Sequence, residues 1–300
     1  MLRVWGQRHY RTEWNALVPF LHELWLLRCI PRGPTIAHFL FAEFAAPRDS
    51  SWLRRRGAKV IGTFHASVRR QERVHGEYPL KNFDWISVVS RVQLPFFRER
   101  GFPDERLRVT HHGVDANYFR PANERRPGTP KKLRLLLVGS TERDHSFMAD
   151  VCRNLPAREF ELTLLTSKEG RAAYTGIDCV RIPGHLSDDG LLQAYQQADL
   201  LIMPLLDCTA NNAILEAMAC GTPVMTNRVG GIPEYVTDSC NIVMDGKEVN
   251  AWVARLNELR EEPDSLEALR PFVREWAERF AWPVMAESFL DLYREAFSHG

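Results

Sequence analysis

The stretch "DLLIMPLLDCTANNAILEAMACGTPVMTN", residues 199 to 227, carries the fold in miniature. A short continuous apolar run, "DLLIMPL", gives way to a polar break. A helical pattern of small and apolar residues follows, opening on two asparagines and closing on Gly221, and a second apolar run, "PVMTN", completes it. Strand, helix and strand in this order form the pattern of a parallel βαβ unit. One acid, Glu216, sits inside the helical pattern. It reads either as a partly exposed surface acid or as a ligand group near the front of the helix.

The same alternation extends outward. The runs "TIAHFLFA", "KVIGTFHA", "WISVV" and "LRVTHH" mark strands in the front half, and "LRLLLVG", "FELTLLTS" and "DCVRIPG" precede the opening stretch in the back half. Strands this continuously apolar are covered on both faces, so the fold class is α/β with doubly wound parallel sheets. Between the two sets lies "FRPANERRPGTPKK", residues 119 to 132, whose prolines and basic residues read as an exposed linker. A chain of 300 residues, 45% hydrophobic, is long enough for two cores. The expected division is 1–125, 131–282 and a closing helix, 283–300, that packs back on the first domain. Pro263, Pro271 and Pro283 divide the helical carboxyl end into separate helices. The first domain is short for a doubly wound sheet, with four strand candidates, and a truncated front is one explanation.

Charge is uneven. Residues 1–130 hold 22 Lys and Arg against 12 Asp and Glu, and the remainder 17 against 26. A basic front half suits an anionic substrate or peripheral contact with an anionic membrane, and no nucleic-acid-reading motif accompanies it. The six cysteines include no C-x-x-C pair, which argues against a zinc site or a disulfide framework. No apolar run approaches the roughly 18–20 residues of a membrane span, and "MLRVWGQRHYRTEW" lacks a signal-peptide core. The cytoplasm is the expected compartment.

Parallel sheets bind ligands beyond the carboxyl ends of their strands, so the loops there are the candidate sites. After "LRLLLVG", Gly139 allows close backbone approach, Arg143 can pair with phosphate and Asp144 can start a helix, although a plain turn also accounts for this loop. Lys168 follows "FELTLLTS", and Gly184 and His185 follow "DCVRIP". In "DCTANN", Thr209 is the expected cap, with the free N–H groups of the helix tip pointing at an anion and Glu216 about two turns in. The glycines of "VGGIPEYV" join the same rim. In the front half, "GTFHAS" places His65 at a strand's end, where it is either structural or a group facing the cleft. A dehydrogenase is disfavoured because no G-x-G-x-x-G follows the first strand of either half.

"LEAMACGTPVMTNRVGGIPEYV", "VTHHGVDANYFRP", "YQQADLLIMPL" and "GTFHAS" together resemble the family 4 glycosyltransferases, retaining enzymes of the GT-B fold. The resemblance implies two Rossmann-like domains facing a cleft, and a nucleotide-sugar donor held by the second. It further implies an acceptor (glycan, lipid or small molecule) and no required cofactor or metal. By motif, Glu216 matches the second acid of Glu-x7-Glu, a ribose ligand, and His65 the histidine facing the transferred sugar. The expected donor side is Gly139, Ser140, Arg143, Lys168, Gly184, His185, Thr209, Asn211, Asn212 and Glu216. Three positions depart from the pattern: Cys208 stands in place of the first acid, and Ser140 and His145 in place of a basic diphosphate clamp. They leave open a catalytically weak or inactive GT-B protein that binds nucleotide or partners a complete transferase.

Overall fold

The computed structural model describes residues 29–45, 50–70, 80–123, 132–184 and 186–298. The chain forms two compact units, one of residues up to His111 together with those from Glu287 onward, the other of His112–Ala286.

The first unit holds a four-stranded parallel sheet in the order β1-β2-β3-β4: Thr35–Phe39, Ala58–Phe64, Trp85–Val88 and Leu107–Val109. Helices α1 (Ala42–Ala45) and α2 (Ser51–Arg55) join β1 to β2, and α3 (Leu94–Arg98) lies between β3 and β4. Every residue of β3 is buried, as a strand covered on both faces requires. Val60, Phe64, Ile86, Val88, Phe96 and Phe97 fill one side of this sheet.

The second unit is built on six parallel strands. In chain order they are β5 (Leu133–Val138), α4 (His145–Arg153), β6 (Phe160–Leu165), α5 (Lys168–Arg171), β7 (Val180–Arg181), α6 (Asp188–Gln197) and β8 (Leu200–Met203). Then come α7 (Asn212–Ala219), β9 (Val224–Asn227), α8 (Ile232–Tyr235), β10 (Ile242–Met244), α9 (Val249–Glu261) and α10 (Pro263–Glu278). The strand order β10-β9-β8-β5-β6-β7 reverses direction between β5 and β8. At the amino ends of these two central strands Arg134 forks onto Asp199, with Nε to Oδ2 at 3.1 Å and Nη2 to Oδ1 at 2.8 Å. At their carboxyl ends the loops part, which opens the crevice where such sheets hold ligands.

Leu136, Leu201, Met203, Ile214, Met218 and Val273 pack on one face of this sheet, and Leu135, Leu137, Met148, Leu164, Ile202 and Trp252 on the other. In α7 every residue except Asn212 and Glu216 is buried. Its Ile214, Leu215 and Met218 each contribute roughly 2 kcal/mol by leaving water. Two details differ from the sequence expectation. Pro271 lies inside α10 rather than ending a helix, because Leu266, Val273 and Ala277 bury on both sides of it and tertiary packing outweighs the lost hydrogen bond. The three-residue β10 was not foreseen, its apolar run being too short to register.

The last helix, α11 (Trp282–Ser298), buries Leu292 and Ala296 against Ile61 and Trp85, on the side of the first sheet opposite α3. His38 is fixed there: Nδ1 shares a 2.7 Å hydrogen bond with the Tyr293 hydroxyl and Nε2 another of 2.7 Å with that of Thr63. No helix among the described residues is long and apolar enough to cross a membrane.

Candidate active site

The loop after β5 turns at Gly139, whose φ of +96° suits only glycine. Arg143 folds back over it, so that a Cβ built on Gly139 lies 2.8 Å from Nη2 and 2.9 Å from Nε. The guanidinium donates from Nε to the Val138 carbonyl (3.1 Å), from Nη1 to that of Thr141 (2.6 Å) and from Nη2 to Asn211 Oδ1 (3.2 Å). Two of its five N–H groups therefore hold the loop, and a third reaches across to Asn211. Burial lowers its pKa, while Cys208, Tyr195 and Glu216 act in the opposite direction. Glu142, in the same loop, adopts a φ of +58°, a left-handed conformation uncommon outside glycine.

Asn211 is the residue that joins this loop to α7. Its Oδ1 also accepts from the Ile214 N–H at 3.3 Å, which makes it the helix cap. The cap expected at Thr209 is thus two residues further on. Thr209 lies buried before the helix begins, because the backbone reaches an extended cap conformation only at Asn211. Asn212 is exposed at the first helical position, and its side chain meets the imidazole of His112.

Glu216 lies one turn into α7, not two, since the helix starts at Asn212. The Tyr195 hydroxyl donates to its Oε2 at 2.7 Å. Burial pushes the carboxyl pKa up, and Tyr195 and Arg143 partly counter that. This acid is half-buried and already bonded to Tyr195, not a fully solvated surface group. Tyr195 left no local signal, because its partner is 21 positions away.

Cys208 is buried, and burial pushes its thiol up to about 12. Its carbonyl accepts the Gly231 N–H at 2.7 Å, and a Cβ on Gly230 (φ +52°) falls 2.1 Å from that oxygen. The glycine pair thus presses the loop after β9 against the loop after β8. His145 is half-buried and shares 3.1 Å hydrogen bonds with the hydroxyls of Tyr174 and Thr166. Burial and the nearby Arg143 lower its pKa.

Beside the crevice, a cleft of about 350 Å³ runs along the carboxyl ends of β5, β6 and β7, lined by Val138, Gly139, Leu165, Thr166, Pro183 and Gly184 among others. Its apolar walls and backbone edges suit a flat heterocycle. Arg171, absent from the sequence candidates, lines it too and donates from Nε to the Thr166 carbonyl. Ser140 and Lys168 are exposed on the same rim of the sheet. His185 lies outside the described residues, and no group of three or more metal-ligating side chains occurs among the described ones.

In the first unit, His65 follows β2 and is half-buried with Phe41 stacked on its ring at 4.4 Å. Two buried side chains that sequence reasoning did not single out hold its backbone. Glu43 Oε1 accepts from the N–H groups of His65 and Ala66, each at 2.9 Å. Gln93 donates from Nε2 to the carbonyls of Phe64 and Ala66, each at 3.0 Å.

Residues 129–262 match the family model described as "Glycosyl transferases group 1". This group 1 segment runs from β5 through α9 and so contains Gly139, Arg143, Asn211 and Glu216. A D-inositol 3-phosphate glycosyltransferase of Thermobispora bispora is 30% identical over 220 residues, 65% of this chain and 51% of the relative. One from Paenarthrobacter aurescens is 27% identical over 221 residues, 65% and 53%. The chain spans about half the length of these curated relatives. Among solved structures, sucrose-phosphate synthase from Thermosynechococcus elongatus superposes with a TM-score of 0.71 at 19% identity, over 89% of this chain and 74% of that one. The Anabaena protein Alr3699/HepE, solved with UDP and glucose, gives 0.67 at 16%, over 81% and 73%. The fold is GT-B.

Proposed function

We propose that this chain is a glycosyltransferase that takes a nucleotide-sugar donor in its second unit and passes the sugar to an acceptor with retention of configuration, without a metal. The observation that carries the reading is convergence at one switch point. The Gly139 turn, Arg143, the Asn211-capped tip of α7 and the Tyr195-held Glu216 meet beside a cleft sized for a nucleoside. In the reaction the bond from the anomeric carbon to the diphosphate oxygen breaks and one to an acceptor oxygen forms, the acceptor's hydroxyl proton passing to the departing diphosphate. The developing charge is on the leaving diphosphate. Lys168, Arg171, the two remaining N–H groups of Arg143 and the first backbone N–H groups of α7 are the donors assigned to it. Glu216 is assigned to the ribose hydroxyls and His65, from the first unit, to the transferred sugar. Gly139, Ser140, Gly184, His185, Thr209, Asn211 and Asn212 complete the donor side, with Asn211 acting through Arg143 and the helix tip. The proposed compartment is the cytoplasm, with exposed Arg69 and Arg70 available to an anionic membrane.

UDP, found with glucose in the Anabaena structure, is the first nucleotide to test, and D-inositol 3-phosphate, named in the relatives' activity, the first acceptor. Calorimetric titration with UDP, GDP and ADP is expected to show binding to one of them. Binding of none, and of no nucleotide sugar, refutes the proposal.

A second reading is a weak or inactive protein that binds nucleotide or partners a complete transferase. Neutral Cys208 and a His145 whose pKa is lowered by burial and Arg143 favour it, since neither is a standing positive charge on the rim. Donor turnover in the presence or absence of EDTA that is abolished in Glu216→Ala excludes it.

A further inference from the structure

Helix α10 buries Leu266, Val273 and Ala277 and turns a second stripe away from them: Phe272, Glu275, Trp276 and, at its C-cap, Arg279, spaced three and four residues apart as on a single helix face. Phe272 is 60% exposed, the highest value among the exposed large hydrophobic side chains described. Beside it is a groove of about 490 Å³ lined by these four residues and by Ser239 and Cys240. The last two belong to the segment leading into β10, so the groove lies at the amino end of that parallel strand, whereas the crevice opens at the carboxyl ends. Charge on this stripe is unmatched. Elsewhere on α10 acids and bases pair within the helix, Glu267 with Arg270 at 3.2 Å and Arg274 with Glu278 at 2.8 Å. Glu275 and Arg279 make no ion pair among the described residues; the Arg279 guanidinium lies instead over the Trp276 ring, 4.6 Å from its centroid.

We propose that this face of α10 docks a second copy of the chain, about a two-fold axis that sets Glu275 of each copy against Arg279 of the other and seats each Phe272 in the opposite groove. The basis is self-complementarity. In an isologous contact the same patch serves both copies, and residue i meets j while j meets i. Such a patch must carry both halves of its own match, and this one does: a projecting ring beside a groove, and an acid beside a base. A patch of one sign selects a partner of the other sign, whereas one acid and one base in exchangeable positions select the patch itself. Phenylalanine, tryptophan and arginine are also the side chains that most often anchor such contacts. The stripe is small, so the expected dimer is reversible and not obligate. This pairing is independent of what the crevice binds.

The test is sedimentation velocity over about 2–200 µM protein, a range that brackets a micromolar dissociation constant. Wild type is expected to move from the mass of one chain toward that of two as concentration rises. Glu275→Arg and Arg279→Glu each set like charges against one another across the axis and are expected to weaken association about tenfold or more. An equimolar mixture of the two variants is expected to associate as wild type does, because one brings two arginines to the exchanging positions and the other two glutamates. The double variant, Glu275→Arg with Arg279→Glu, is expected to recover for the same reason. Phe272→Ser, which empties the groove of the opposite copy, is expected to weaken association with the charges intact. Phe272, Glu275 and Arg279 are all exposed, so melting curves matching wild type are expected, and these separate a lost contact from a lost fold. The mass of a single chain at every concentration overturns the proposal. So does a dimer that both single charge variants leave intact, which would use another surface, and so does a mixture of those variants that stays monomeric where wild type pairs.

Discussion

Asn211 offers the sharpest test of how the site is held together. Its single Oδ1 both caps α7 and receives Arg143, and the residue is 5% exposed. Asn211→Ala removes the cap, a loss of about 1 kcal/mol. It also leaves a half-buried guanidinium N–H without its acceptor, for about 1–3 kcal/mol more. The expected destabilisation is therefore about 2–4 kcal/mol, a shift in the urea midpoint on the order of 1 M. Hydrogen exchange in peptides of β5 and α7 localises the loss to the second unit. Asn211→Asp is the informative partner. It keeps the cap oxygen and sets a carboxylate against Arg143, so stability is expected to stay within about 1 kcal/mol of wild type. Nucleotide affinity is expected to fall, because a new negative charge about 10 Å from a diphosphate charge repels it by roughly 1.7 kcal/mol at an effective dielectric of about 20, more than tenfold. If Asn211→Ala stays within about 0.5 kcal/mol of wild type, the size of an ordinary surface change, Asn211 is not the joint described here.

Three further outcomes concern single residues. His38, its pKa lowered by burial to about 4 from an ordinary 6.5, stays neutral in the folded protein while the unfolded chain takes up a proton. Its contribution is complete above neutral pH and declines as pH falls from about 6.5 to 4, by about 3 kcal/mol in all. Urea unfolding of His38→Gln at pH 7.5 and 5 should lack most of that wild-type decline, and an unchanged decline assigns it to other groups. Gly230→Ala, with its Cβ 2.1 Å from the Cys208 carbonyl, forces the two rim loops apart and breaks the Gly231 hydrogen bond. A cost of about 2–3 kcal/mol and weaker nucleotide binding are expected from melting and calorimetry. Glu216 has its pKa raised by burial, so acidification neutralises it before an ordinary surface acid. Nucleotide affinity should fall with pH in wild type and be low and flat in Glu216→Gln, measured over pH 5–8.

The sheets were legible because parallel strands covered on both faces leave unbroken apolar runs, as in "DLLIMPL" and "WISVV". The rim was legible for a related reason: glycines and caps punctuate the strand-to-helix loops, and Gly139, Asp144 and Asn211 all lie there. What escaped is the long-range pairing. Tyr195 with Glu216, Glu43 with the His65 backbone and Gln93 with the end of β2 join residues whose types alone announce nothing. Pro271 shows the converse error, where a strong local breaker is overruled by packing on either side.

The Glu43 carboxylate, accepting two successive N–H groups at the end of β2, has a consequence for which anions the first unit can hold. Consecutive amides of this kind form a small concave trap for negative charge. Here the trap is already occupied by an acid from the protein's own chain, so a free phosphate arriving at the His65 backbone competes with an internal, covalently tethered anion. That pair of amides is thereby closed to a free anion, and Glu43→Ala, which removes the acceptor altogether, is the change that would open it.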